Sequence, residues 1–141
     1  MNLSELIHIG QRNEDRFTVT EQITAYQVGS GSARVLATPW MIAYMERTAH
    51  RLLTCCLPEG HTSVGTLVNV RHLAATPLGG EVRVEVEVLS MEGNRVYFSV
   101  RAWDEVELIG EGEHERAVIE TARFLRRVEK KQATLEGKKA G

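Results

Sequence analysis

One strongly apolar helix followed by little but strands is what most narrows the folds open to this chain. From Thr38 to Leu53, Met41, Ile42, Met45, Ala49, Leu52 and Leu53 fall on one arc at about 100° per residue. Tyr44, Arg47, His50 and Arg51 fall on the opposite side. Thr38 followed by Pro39 predicts the helix start, with Thr38 as N-cap and Pro39 as first helical residue. Leu57-Pro58-Glu59-Gly60 predicts its end. Strand signals then run almost to the C-terminal segment. Val64–Leu73 reads as one strand, and Val82, Val84, Val86 and Val88 alternate with Arg83, Glu85 and Glu87 in a second. Glu92-Gly93-Asn94 predicts a tight turn into Arg95–Trp103. A last strand is expected over 106–119, with Gly110 and Gly112 as candidate bulge positions. Before the helix, residues 16–28 read as a first strand with an irregular middle, because Phe17 and Val19 keep the two-residue period and Tyr26 breaks it. Gly29-Ser30-Gly31-Ser32 reads as a flexible lead into the helix.

This pattern predicts an α+β layer structure, an antiparallel sheet wrapped around one long central helix, as in a hotdog fold. No linker, repeat or low-complexity block interrupts it, so residues 1–141 read as a single domain. Residues 121–141 read as a charged extension, a short helix that frays. One helix leaves the outer edges of such a sheet open, which predicts a homodimer or a higher oligomer of dimers.

Composition excludes some functions. A formal net charge of −2 argues against a nucleic-acid partner, and the C-terminal basic residues alternate with Glu120, Glu129 and Glu136 as on a solvated face. No apolar run is long enough to span a membrane, and the N-terminal residues lack the pattern of a signal peptide. The adjacent Cys55 and Cys56 read as reduced thiols, which with the rest predicts a cytoplasmic protein. No metal site is expected.

Glu46 is the residue that fits worst. It falls beside Ile42 and Leu53 on the rim of the apolar stripe, where a carboxylate is partly desolvated. It either snorkels to water or serves a site. Thr38 places a hydroxyl at a helix N-terminus, where unpaired N–H groups favour a carbonyl oxygen or oxyanion, although an ordinary cap explains it too. Gly65 lies inside a strand, a placement that lets a ligand come close to the backbone. His72, near that strand's end, is the histidine placed to serve a site between sheet and helix; His8, His50 and His61 read as surface positions.

Thr38, Met41 and Met45-Glu46, then Gly65-Thr66, His72 seven residues on, Ala74-Ala75-Thr76-Pro77, and Ile109 to Ile119 together resemble the fluoroacetyl-CoA thioesterase family of hotdog acyl-CoA hydrolases. The likeness covers about residues 10–130. It implies an acyl-CoA thioesterase acting on a small, unidentified acyl group, with Thr38, Glu46 and His72 catalytic and the Gly65 N–H at the oxyanion. It implies an acyl-CoA substrate and no cofactor beyond the CoA that substrate carries. Fluoroacetate-selective members carry bulky aromatics just before the Thr; here Gly29–Leu36 holds none, so the likeness extends to thioester chemistry and not to fluoroacetate selectivity. Two rivals are a hotdog hydratase, whose Asp/His motif at the helix start is replaced by Thr38-Pro39-Trp40, and a non-catalytic acyl-CoA-binding or sensor protein. Thr38 and Glu46 lie eight residues apart, about 12 Å along a helix, too far for a direct hydrogen bond. Either a site is shared across a dimer, or Thr38 and Glu46 act at different points along the ligand; the dimer expected from the sheet edges favours the shared site.

Overall fold

The computed structural model describes residues 1–140. In chain order the elements are a 3₁₀ turn at Leu3–Glu5, β1 (Arg12–Thr18), a second 3₁₀ turn at Glu21–Ile23, α1 (Ala25–Val28) and α2 (Thr38–Thr54). Then follow β2 (His61–His72), β3 (Glu81–Glu92), β4 (Arg95–Trp103), β5 (Leu108–Glu120) and α3 (Thr121–Ala140). The strands form one antiparallel sheet in the order β1-β3-β4-β5-β2. The sheet curves around α2, which is the hotdog arrangement.

The core follows from the two periods. Met41, Met45, Ala49, Leu52 and Leu53 are buried along one face of α2. Every second residue of β3 from Val82 to Val88 is buried, and Val96, Phe98 and Val100 of β4 continue the layer. Each of these side chains apart from that of Ala49 contributes about 1.5–3 kcal/mol by leaving water. Gly110 lets α2 approach the sheet: a methyl group there would lie 2.5 Å from Met41 Sδ. Gly112 does the same for strand contact, since a methyl group would lie 2.2 Å from Asn69 O.

Three expectations are corrected. The first strand is Arg12–Thr18 and not residues 16–28. Its inward positions are Asn13, Asp15 and Phe17: Asn13 Nδ2 donates to Thr48 O at 3.1 Å, Asp15 pairs with Arg51 at 3.1 Å, and Phe17 stacks on Tyr44 at 3.7 Å. Two of those three are polar, so hydrophobic alternation did not mark the strand. Residues 20–28 instead turn helically, with Thr24 Oγ1 accepting from Gln27 N at 3.3 Å and Gly29 ending α1 at φ 87°. The N-cap of α2 is Ala37, and Thr38 is its first residue. The C-terminal segment is a helix of 20 residues and not a short one.

The bulge expected at Gly110 or Gly112 sits just before them, where Ala102 pairs with Gly110 and Trp103 with Leu108, leaving Ile109 extra. A second bulge lies in β2, where Gly65 faces Arg116 and Leu67 faces Glu115, leaving Thr66 extra. Its hydroxyl donates to the Glu115 carboxylate. β2 is an outer strand whose residues 65–69 are exposed, Leu67 and Val68 at 50% and 39%. Among the described residues, no helix is long and apolar enough to cross a membrane.

Candidate active site

The four residues singled out from sequence fall into two clusters within one chain. At the start of α2, Thr38 Oγ1 and His72 Nδ1 are 2.7 Å apart. Because Thr38 is the first helical residue and makes no side-chain cap, its hydroxyl is free for this contact. The helix start is sparing with backbone donors: Ala37 N donates to Ile23 O at 2.9 Å, Pro39 has none, and Trp40 N donates to Ala37 O at 3.0 Å. The Thr38 N–H is what remains.

Half-buried His72 has a pKa below its ordinary value because burial disfavours the imidazolium, with the Ala74 backbone partly opposing this. The ring is therefore a neutral base near pH 7. Its Nε2 is buried and has no hydrogen-bond partner in the chain. A cleft of about 340 Å³ opens beside the pair, lined by Ala25, Ser30, Val35, Leu36, Ala74 and Ala75 among others. Those linings are small or aliphatic, which suits a short acyl chain.

Two turns along α2, Glu46 reaches the backbone of Gly65. A methyl group on Gly65 would sit 2.8 Å from Glu46 Oε2, so only glycine admits the carboxylate here. Arg116 Nη1 lies 3.8 Å from the same oxygen, and this cation compensates the partial burial expected for Glu46.

Sequence reasoning missed the group that holds this arginine. Arg116 is 6% exposed, and its Nε donates to Ser63 Oγ at 2.9 Å while Nη2 donates to Ser63 O at 3.2 Å. Nη1 lies 3.2 Å from His114 Nε2. His114 Nδ1 is 2.8 Å from Leu67 O, a pure acceptor, so Nδ1 carries the proton and Nε2 accepts from the guanidinium. Ser63 Oγ, already accepting from Arg116, also lies 2.9 Å from His50 Nδ1. His50 is thus half-buried and engaged, not the surface position its sequence context suggested. Burial is the first cause lowering the pKa of His50, His114 and Arg116; Arg116 adds to the effect at both histidines, and Glu46 opposes it at Arg116. One signal was available: His114 and Arg116 are two apart on β5, on one face with Val118, where two polar residues need partners.

The clusters do not meet. Thr38 and Glu46 are about 12 Å apart along α2, and Gly65 and His72 are roughly 20 Å apart along β2. Among the described residues, no group of three or more His, Cys, Asp or Glu side chains is arranged to hold a metal ion.

Comparison with known proteins gives the family of the chain. Residues 19–122 match the model of the fluoroacetyl-CoA-specific thioesterase family. A fluoroacetyl-CoA thioesterase from Streptantibioticus cattleyicolor is 43% identical over 97 residues, covering 69% of this chain and 70% of that protein. The solved fluoroacetyl-CoA thioesterase FlK superposes with a TM-score of 0.83 at 36% identity, over 89% of this chain and 97% of that one. A hot-dog-like protein from Thermanaerovibrio acidaminovorans superposes with a TM-score of 0.87 at 30% identity, over 93% and 97%. The chain belongs to the fluoroacetyl-CoA-specific thioesterase family, hotdog-fold enzymes that hydrolyse acyl-CoA thioesters.

Proposed function

We propose that this thioesterase works at sites shared between two copies of the chain, with Thr38 and His72 from one and Glu46, Gly65 and Arg116 from the other. The observation that carries this reading is the 2.7 Å Thr38–His72 pair standing well apart from the Glu46–Gly65 contact in the same chain. Pairing two β2 edges antiparallel, which would cover Leu67 and Val68, runs one strand's Gly65 half past the other's His72 half.

In the resulting site, His72 takes the Thr38 hydroxyl proton as Oγ attacks the thioester carbonyl. The developing oxyanion is held by the Gly65 N–H and by the Thr38 N–H. His72 returns its proton to the departing CoA sulfur as the C–S bond breaks. Water then attacks the acyl-threonine ester; Glu46, held beside the Arg116 guanidinium, takes its proton. As the tetrahedral intermediate collapses the acyl–Oγ bond breaks, the proton taken by Glu46 passes to the departing Thr38 Oγ, and the carboxylic acid leaves with Thr38 and Glu46 restored. No cofactor enters beyond the CoA of the substrate.

The substrate we infer is a short acyl-CoA. FlK itself has been solved, as a variant, with fluoroacetate and CoA. In this chain the nearest aromatic side chain before Thr38, Tyr26, is 51% exposed, with the Arg34 guanidinium 4.6 Å over its ring and Arg34 tied to Glu21 at 3.1 Å. It does not close the cleft, so acetyl and other short acyl groups are expected to be accepted without a fluorine preference. The reading includes a cytoplasmic location, which suits two free cysteines, and neither nucleic acid nor membrane as partner.

Free-thiol release from a panel of acyl-CoAs tests it, with Thr38→Ala, Glu46→Gln and His72→Ala alongside. Turnover of short chains that collapses in all three variants is expected. Tight acyl-CoA binding with no turnover by the unaltered protein would overturn the mechanism in favour of a sensor.

A further inference from the structure

None of the 20 residues of α3 is buried. Leu125, Val128 and Leu135 are 48%, 48% and 47% exposed. With Gln132 they recur at alternating steps of three and four residues, the spacing of a two-stranded coiled-coil seam. The charges beside this seam are segregated by side. At about 100° per residue, Glu129 and Glu136 lie along one flank, and Lys131 and Lys138 along the other.

We propose that α3 is an interaction helix whose partner is the α3 of a second copy, packed parallel and in register. The charge arrangement selects both the partner and the direction. In a parallel pair the lysine flank of each helix meets the glutamate flank of the other, and Lys131 faces Glu136 five residues further on. In an antiparallel pair, lysine would meet lysine and glutamate would meet glutamate. A membrane surface suits the helix less well, because Glu129 and Glu136 would then lie at the level of anionic headgroups. Gln132 hydrogen-bonds Glu136 within the free helix at 3.2 Å, and in the pair its amide meets its counterpart and fixes the register.

The contact is separate from the β2 edge. α3 begins beside the His61 end of β2, where Thr121 N donates to Gly60 O at 2.9 Å. In the sheet-edge dimer proposed above, a two-fold axis near Leu67 places the two His61 ends roughly 40 Å apart. On that reading the α3 contact joins one dimer to another. The helix pairing itself does not depend on it.

The test uses the full-length chain carrying Cys55→Ser, Cys56→Ser and Gln132→Cys under mild oxidation. A covalent two-chain product is expected, and adding Val128→Glu should cut its yield at least tenfold while thiol release from acyl-CoA persists. Lys131→Glu alone and Glu136→Lys alone should each lower the yield, and the two together should restore it. Absence of the cross-link, or a cross-link indifferent to Val128→Glu and to the charge reversal, overturns the proposal. Co-sedimentation with phosphatidylserine vesicles that requires Val128, with no cross-link, also overturns it and assigns the face to lipid.

Discussion

Replacing Gly65 by alanine separates positioning from stability. The added methyl would sit 2.8 Å from Glu46 Oε2, and 3.4 Å from Arg116 Nη1 and His114 Cε1. Carbon and oxygen at van der Waals contact need about 3.4 Å or more. The carboxylate must therefore retreat by more than half an ångström, while the other two contacts are close to ordinary. Glu46 ends a flexible side chain that is 41% exposed, so it can swing to water at little expense to the fold. The stability change is accordingly small, within about 1 kcal/mol. Catalysis has no such escape: displacing a reacting group by about an ångström lowers the rate on the order of 100-fold, or about 2.7 kcal/mol of barrier. We expect kcat/KM for a short acyl-CoA to fall by that order with Tm nearly unchanged, measured by thiol release and thermal unfolding. A variant with kcat/KM within threefold of the unaltered enzyme would refute the reasoning, because it would mean that the Glu46 position is not used. A collapse in Tm would refute it differently, by making Gly65 a structural residue.

Other consequences follow from the geometry. With the His72 pKa lowered by burial, the acid limb of kcat/KM should have its midpoint below the ordinary 6.5, and His72→Ala should remove that limb along with most of the activity. Burial lowers the pKa of His50, His72 and His114 alike, so the unfolded chain protonates first as pH falls. Their contribution to stability is complete above about pH 6.5 and is lost progressively below it, which urea unfolding at stepped pH would show. Gly112→Ala should destabilise more than Gly110→Ala, each by roughly 1–3 kcal/mol, since the first methyl meets the Asn69 carbonyl of a neighbouring strand and the second meets the movable Met41 side chain. Equal midpoints in denaturant would contradict that ranking.

Much of the frame was readable from residue order. The apolar stripe of α2 and the valine alternation of β3 follow a single period each, and the structure puts both where the period puts them. β1 was not readable in the same way, because Asn13 and Asp15 face inward against polar groups of α2 rather than against the core. Glu46 and Gly65 were suspicious for separate local reasons, and the fold joins them. The arginine behind them was hidden for the opposite reason. Arg116, Ser63 and His50 look ordinary alone, and their meaning lies in contacts across two strands and a helix that no local pattern encodes. The length of α3 was understated because its mixed charges resemble a solvated tail, although its apolar residues keep a coiled-coil spacing.

In the proposed dimer each working site takes residues from two chains. Equal amounts of a Thr38→Ala chain and a Glu46→Gln chain, unfolded together and refolded, should give mixed dimers as about half of all dimers. Each mixed dimer holds one site with all groups intact and one lacking two, so activity should return to about a quarter of the unaltered enzyme's from two nearly dead parents. If mixed dimers are shown to form and remain as inactive as the parents, the shared site is wrong and each chain works alone.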